Sequence, residues 1–340
     1  MSKRFLLVSA VLVCGLVSSA LSEGSEKDSA LILLVKQNYP GAMESIENHL
    51  KRYPEDNSAL YFKIAIEQTR ILDYESYIID GPGFMKMSDS VKQILEGRQK
   101  KLRGPDSLEC LFFTANAYGG ISIIQAKTGN WFDAMKNAMS SMSLLKQVKK
   151  LDPDYYAAYL GIGVFNYYLR SSFKWLPFVD DKGQEGIRTI ENALRAEFPY
   201  NYAAKNSLCW ILIEKGEFKE ADSLARSVLQ DIPDNTIFLR IRSLIALWTG
   251  KNKQAIELGS RLVELSEKRD PINWSDLIAG HTVLVNSYSN LKMEKESFES
   301  ADKILCRQIP REYLEIPHIK KNIKYLDETK QKHKDYALKK

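Results

Sequence analysis

Two stretches of this chain repeat at a spacing of 34 residues. Gly216-Glu217-Phe218-Lys219-Glu220-Ala221 recurs as Gly250-Lys251-Asn252-Lys253-Gln254-Ala255, and Pro199 recurs as Pro233. A period of this length is typical of helical hairpins stacked in an array, in which each repeat packs only on its neighbours. Such an array grows without one large core, so 340 residues fit a single array. The period therefore predicts an all-α solenoid that functions through a surface.

The residues inside the best repeat, 202–235, carry a more specific pattern. Large and small apolar residues alternate in its first helix, glycine marks the turn, small residues open the second helix, and proline closes the unit: Leu208, Cys209, Leu212, Gly216, Phe218, Ala221, Ala225, Val228, Leu229 and Pro233. This pattern resembles the tetratricopeptide repeat, although Lys205 stands where that family usually has a large apolar residue. A second repeat follows at 236–269. The resemblance implies a right-handed α-solenoid of about six hairpins over 21–315, with a C-terminal capping helix.

The period is interrupted at three places. Asp80-Gly81-Pro82-Gly83 has turn chemistry and predicts a loop between helices over 77–86. Ser171 to Asp181 contains six apolar residues, Trp175 and Pro177 among them. These residues either pack on the array or form an exposed surface for a partner. A longer link at 267–274 leads into the last hairpin, predicted over 275–306.

The helix over 155–168 is unusual, because it contains five tyrosines and two glycines, Gly161 and Gly163. Glycine is unfavourable inside a helix, so its presence indicates close contact with a neighbouring helix. Tyr159 and Tyr167, with Trp175, form one candidate partner surface, while the alternative is that the rings fill a helix seam. The region 152–262 also resembles a segment of poorly characterised exported bacterial tetratricopeptide proteins.

A second candidate surface follows from the family resemblance. In tetratricopeptide folds, exposed positions of the first helices line the concave face, and by register these are Asn206, Trp210, Glu214, Arg240, Leu244 and Trp248. Of these residues only Asn206 and Arg240 are of the types that form a carboxylate clamp, so the sequence does not indicate a tetratricopeptide protein of the carboxylate-clamp subtype. The mixture of aromatic and polar residues favours an extended peptide or a partner helix.

The first residues predict export. Lys3 and Arg4 precede an apolar run, 5–17, and small residues end at Ala20, which is typical of a signal peptide over 1–20 that is cleaved after Ala20. The alternative, a membrane anchor, needs about 20 apolar residues and the run is shorter. No other long apolar stretch exists in the sequence, so we expect an exported chain without a transmembrane span, periplasmic or secreted.

Reactive residues are few and scattered. Cys110, Cys209 and Cys306 lie among apolar residues on predicted helices and indicate no disulfide framework. Neither Cys nor His has a partner at ligand spacing, so neither a metal nor a cofactor is expected. Acidic pairs such as Glu44/Glu47 and Glu217/Glu220 share a helix face but look solvated. The sequence therefore favours a non-enzymatic protein, although a site assembled from distant residues stays open.

Positive charge collects at the C-terminus. The chain carries +5, and 316–340 alone has eight lysines and three acidic residues, a net charge of +5. This is weak support for nucleic acid, which we do not expect as a partner. A solvated basic helix is one interpretation. The other is contact with an anionic envelope surface, which would make the chain a structural component of a cell-envelope or secretion assembly.

Overall fold

The computed structural model describes residues 26–172 and 183–332, so the signal-peptide segment 1–20 and Trp175 lie outside the described residues. Within those ranges the chain forms sixteen α-helices and no strand. The helices are α1 (Glu26–Val35), α2 (Tyr39–Arg52), α3 (Asn57–Tyr74), α4 (Tyr77–Gln99), α5 (Gly104–Lys127), α6 (Trp131–Leu151), α7 (Ala157–Ser172), α8 (Gly183–Ala193), α9 (Tyr200–Lys215), α10 (Phe218–Asp231), α11 (Thr236–Trp248), α12 (Asn252–Glu267), α13 (Trp274–Asn290), α14 (Glu294–Leu305), α15 (Arg311–Leu314) and α16 (Pro317–Lys332).

The chain divides into two compact units, the N-terminal unit (26–72 and 77–211) and the C-terminal unit (73–76 and 212–332). In the N-terminal unit α1 packs on α2, and α4 to α8 pack each on the next. In the C-terminal unit α10 to α14 do the same, and α11 also contacts α13. This packing of each helix on its neighbours confirms the predicted all-α fold of successive hairpins. Among the described residues, α1 and α2, α5 and α6, α7 and α8, α11 and α12, and α13 and α14 are contacting antiparallel neighbours in sequence, where about six hairpins were predicted.

The 34-residue period corresponds to one repeated turn. Gly216 and Gly250 adopt φ of 79° and 73°, a left-handed conformation that glycine reaches without steric cost. After each glycine, the next backbone N–H donates to the carbonyl five residues earlier, from Glu217 to Leu212 at 2.8 Å and from Lys251 to Ala246 at 2.9 Å. This is the hydrogen bond that closes a helix C-terminus when a left-handed residue ends it.

Small residues allow the paired helices to approach, as the repeat pattern predicted. Ala221, Ala225 and Ala255 are fully buried. The C-terminal unit has an apolar core cluster formed by Leu239, Ala246, Ala255, Leu258, Leu262 and Val283. The N-terminal unit is built around aromatic rings, and the centroids of Tyr61 and Phe113 are 5.4 Å apart. Burial of these apolar surfaces stabilises each unit at about 25 cal/mol per Å².

Two local predictions are wrong. The segment 77–86 is not a loop, because α4 begins at Tyr77 and Pro82 lies inside it. The chain breaks just before, at Glu75, whose φ is 54°. Cys306, which was expected among apolar residues, is an exposed thiol at the end of α14, whereas Cys110 and Cys209 are buried.

The last helix covers the end of the C-terminal unit. α16 packs on α13 and α14 and buries Ile319 and Leu326, as predicted for a capping helix. Its lysines Lys320, Lys321 and Lys324 are exposed. In the part of the chain that the structure describes, we find no helix with the length and apolar character needed to cross a membrane.

Candidate functional site

A buried group of charged side chains is the most unusual feature of the C-terminal unit. The short segment 73–76 meets three helices of this unit and the link before α13. We call this group the charge cluster, and its members are Asp73, Glu75, Arg240, Arg269, Asn273, Asp276 and His318.

Asp73 is held by the link into α13. Its carboxylate accepts a hydrogen bond from Arg269 Nη1 at 2.6 Å. The amide of Asn273 donates to Asp73 Oδ1 and to Asp276 Oδ2, both at 3.3 Å. Asn273 also caps α13, because its side chain accepts from the Asp276 N–H at 3.1 Å. The two carboxylates are thereby brought together at the start of α13.

Glu75 lies on the other side of the cluster. Arg240 of α11 donates to Glu75 Oε1 at 3.2 Å and also contacts Asp276 Oδ1 at 3.4 Å. His318 of α16 places Nε2 2.7 Å from Glu75 Oε2. Arg240 thus bridges two carboxylates that are about two hundred residues apart in sequence, 75 and 276.

The cluster has more negative than positive groups. Three carboxylates face two guanidinium groups, so the cluster carries one negative charge in excess when all three carboxylates are ionised. Burial and the neighbouring Asp73 carboxylate raise the pKa of Asp276 to about 7, although Arg240 acts in the opposite direction. A proton held on Asp276 near neutral pH would balance the cluster.

These charges are directed at one another and not at solvent. The side chains of Asp73, Glu75 and Asp276 are 1%, 6% and 2% exposed. A carboxylate acting in acid–base catalysis must reach a substrate in a cleft. The arrangement instead fixes segment 73–76 within the C-terminal unit. Sequence reasoning missed the cluster, because its members are separated by up to 245 residues, from Asp73 to His318, and no spacing motif marks them.

The predicted concave-face residues differ in how far their side chains are exposed to solvent. Asn206 and Trp210 are buried, at 3% and 8% exposure, and Arg240 belongs to the charge cluster. Glu214 is exposed and Leu244 is half-buried. Trp248 is 44% exposed, with its ring 6.2 Å from that of Phe218. The partner-binding role of all six residues stays a prediction.

Aligning the N-terminal caps of α11 and α13 shows which residues of α13 correspond to the predicted concave-face residues of α11. Asn235 and Asn273 both cap their helices with the side chain. Counted from these caps, Thr282 and Asn286 on α13 occupy the same helix positions as Leu244 and Trp248 on α11. Both are half-buried, and α11 contacts α13. We call the set Glu214, Leu244, Trp248, Thr282 and Asn286 the repeat face. The Asn caps are the sequence signal that could have found its last two members.

The tyrosine-rich segment is only partly helical, because α7 begins at Ala157 and Tyr155 lies before it. Tyr155 is half-buried, with its ring 4.8 Å from that of Phe112. Tyr159 in α7 is also half-buried, with Lys149 Nζ 4.6 Å from its ring centroid. Tyr167 is also half-buried, and its ring meets that of Tyr168 edge to face at 5.0 Å. The partner-binding role of Tyr159 and Tyr167 stays a prediction.

A glycine pair explains how closely α7 and α8 pack. A Cβ on Gly163 would lie 2.7 Å from the Gly186 carbonyl oxygen and 2.8 Å from the Ile190 nitrogen. A Cβ on Gly186 would lie 2.9 Å from the Gly163 oxygen. Backbone therefore meets backbone at this crossing, which confirms the close helix contact predicted for Gly163.

The acidic pairs considered from sequence are solvated. Glu44 and Glu47 are exposed, and Glu47 pairs with Lys63 at 3.1 Å. Glu217 pairs with Lys215 at 2.5 Å. Across 26–172 and 183–332, no group of His, Cys, Asp and Glu is arranged to hold a metal ion.

Comparison with known proteins gives structural similarity without sequence similarity. No family model matches the chain, and no curated protein matches it in sequence. A tetratricopeptide repeat protein from Parabacteroides merdae is 12% identical over 88% of this chain and 97% of its own, with a TM-score of 0.41. The C-terminal part of a TPR repeat-containing protein from Cytophaga hutchinsonii is 17% identical over 91% and 98%, with a TM-score of 0.43.

A third solved structure is the human IFIT1 dimer with m7Gppp-AAAA. It is 15% identical over 94% of this chain and 77% of its own, with a TM-score of 0.37. The first two of these structures are named as tetratricopeptide or TPR repeat proteins, the family that the repeat pattern resembles. These similarities concern the fold and say nothing about a partner of this chain.

Proposed function

We propose that this chain is an exported, non-enzymatic scaffold that binds a protein or peptide partner through the repeat face. The observation that carries the proposal is Trp248, which stays 44% exposed on a helix whose other large residues are mostly buried. Tryptophan is enriched among residues that dominate binding energy, because it offers a large apolar area and one donor.

The composition of the repeat face indicates the kind of partner. Trp248 and Leu244 supply apolar contact, while Glu214, Thr282 and Asn286 supply polar groups. A face of this mixture suits an extended segment or one side of a helix, since apolar anchors give affinity and polar groups fix the register. The charge cluster is excluded as the docking point because its carboxylates are buried.

Site-specific crosslinking tests this proposal. A photoreactive residue at Trp248 should capture one discrete protein in cells. The same residue at Lys253, which is exposed on α12 and lies off the repeat face, should not capture it. Equal products at both positions, or none at Trp248, would refute the proposed face.

Export is the second part of the proposal and has its own test. Its support is the sequence of residues 1–20, with two basic residues, an apolar run and small residues before Ala20. Mass spectrometry of the native protein should find a mature chain that begins at Leu21, outside the cytoplasm. An intact N-terminus in the cytoplasmic fraction would contradict export.

An alternative function is a structural role in an envelope or secretion assembly. The observation that favours it is α16, which buries Ile319 and Leu326 while Lys320, Lys321 and Lys324 face outward. Replacing these three lysines by glutamine keeps the packed side of α16. Under this alternative the variant should leave the envelope fraction, whereas the scaffold proposal expects its Trp248 crosslink to persist.

A further inference from the structure

One side of α6 departs from what is expected of a helix facing water. Positions 132, 136, 139, 143, 146 and 150 are three or four residues apart, so they form one stripe along the helix. All six are exposed. We call this the α6 stripe, and its residues are Phe132, Lys136, Met139, Ser143, Lys146 and Lys150.

The α6 stripe exposes large apolar side chains. Phe132 is 83% exposed and Met139 is 60% exposed, and Trp131 and Leu151 at the two ends of the helix are 61% and 68% exposed. The opposite side of α6 is buried and already packs on α5 and α7. The exposed apolar residues therefore take no part in holding the N-terminal unit together, and leaving them in water has an unfavourable free energy.

The charges on α6 are mostly positive. The helix carries Lys136, Lys146, Lys149 and Lys150 against a single carboxylate, Asp133. Asp133 is not on the stripe, and it accepts a hydrogen bond from the Asn130 amide at 2.8 Å. Three of the lysines lie on the stripe itself. An occupant of this stripe must therefore be both apolar and anionic.

We propose that the α6 stripe docks on an anionic lipid surface. The helix has 21 residues and is about 31 Å long at 1.5 Å per residue. Its apolar and basic residues are distributed over that whole length. A flat interface accepts such a helix lengthwise, because aromatic and apolar side chains enter the acyl boundary while lysines extend to the phosphates.

Charge complementarity decides for lipid over a protein occupant. Each lysine near an anionic membrane surface strengthens binding about fivefold, independently of a defined partner geometry. An acidic protein segment would need carboxylates placed at three positions spanning four turns of α6. The proposal is independent of the repeat face, which belongs to the C-terminal unit.

Vesicle co-sedimentation of the full chain tests the proposal. Wild type should bind vesicles of phosphatidylcholine with phosphatidylglycerol and should not bind phosphatidylcholine alone. Binding should weaken with added salt, because exposed charges are screened. The variant Lys136→Gln/Lys146→Gln/Lys150→Gln should lose on the order of 100-fold in partition coefficient. Phe132→Ser/Met139→Ser should lose at least about tenfold.

Two matched variants serve as controls. Ile94→Ser changes an apolar residue of α4 that is 41% exposed, and Lys320→Gln/Lys321→Gln/Lys324→Gln removes the same charge from α16. Both variants should bind vesicles as wild type does. All proteins compared should either keep or lack residues 1–20, and all should show the same helical circular dichroism.

Three results would overturn the proposal. The first is wild type that does not bind anionic vesicles, which would leave an acidic protein segment as the occupant. The second is equal binding by the α6 variants and wild type. The third is loss of binding in the α16 variant alone, which would move the lipid contact to the C-terminal helix.

Discussion

Replacing Gly163 by alanine should separate α7 from α8. An added Cβ would lie 2.6 Å from Ile190 Cγ1, 2.7 Å from the Gly186 oxygen and 2.8 Å from the Ile190 nitrogen. Ordinary contacts of this kind are about 3.4 Å or longer, and two of the three atoms belong to backbone that cannot rotate away. The helices would have to move apart by roughly 0.7 Å, and overpacking of this kind costs about 1–3 kcal/mol.

Gly83 is the matched control for this substitution. It lies inside α4, and a Cβ there would meet nothing within 4 Å. Gly83→Ala should therefore show only the intrinsic helix preference for alanine, a gain of about 0.5–1 kcal/mol. At Gly163 the same gain offsets part of the overpacking, so the two variants should differ by on the order of 2 kcal/mol.

Urea unfolding with hydrogen exchange measures this difference. Gly163→Ala should lower the free energy of unfolding and speed exchange in peptides from α7 and α8, while leaving peptides from the C-terminal unit unchanged. A Gly163→Ala protein that is as stable as Gly83→Ala, with unchanged exchange in α7, would refute the close crossing.

Three further outcomes are expected. Arg240→Met should lower the free energy of unfolding by about 3–5 kcal/mol, because it leaves Glu75 and Asp276 buried without that partner; a loss under about 1 kcal/mol in urea unfolding would contradict the cluster. Asp276 has a folded pKa above its ordinary value, so the folded state keeps a proton that the unfolded chain loses as pH rises. Its contribution should therefore be complete at acidic pH and be lost as pH rises from about 4 through about 7, and Asp276→Asn should flatten the curve of stability against pH over that range, whereas an unchanged slope would argue against this titration. With the photoreactive residue moved to Asn286, Trp248→Ala should reduce partner capture by at least about tenfold while changing the unfolding free energy by less than about 1 kcal/mol, since the ring is 44% exposed; undiminished capture would count against the repeat face.

The repeat turns could be predicted because their chemistry is local. Gly216 and Gly250 provide the positive φ that closes a helix, and the same hydrogen bond follows each of them. The α4 start could not be predicted in the same way. Pro82 lies inside α4, where proline is ordinarily unfavourable, while the actual break is at Glu75, a residue type with no preference for positive φ.

The binding surface was harder to predict than the fold. Register assigns Asn206 and Trp210 to a helix face, but burial depends on which elements cover that face, and both side chains are buried. The charge cluster depends on contacts between 73–76 and residues as distant as His318. No local pattern encodes contacts of this kind, because they exist only once the chain has folded.

Because of the charge cluster, the C-terminal unit cannot be separated from segment 73–76 without leaving buried charges unpaired. Arg240 and Arg269 are paired with the carboxylates of Glu75 and Asp73, which lie more than 160 residues earlier in the sequence. Repeat arrays usually gain or lose whole repeats during evolution, since each needs only its neighbours. Here a truncated protein starting at Leu212 would carry buried arginines without Asp73 and Glu75. Shuffling this unit into another protein would therefore require transferring a distant tetrapeptide with it, which restricts how such a chain can be divided.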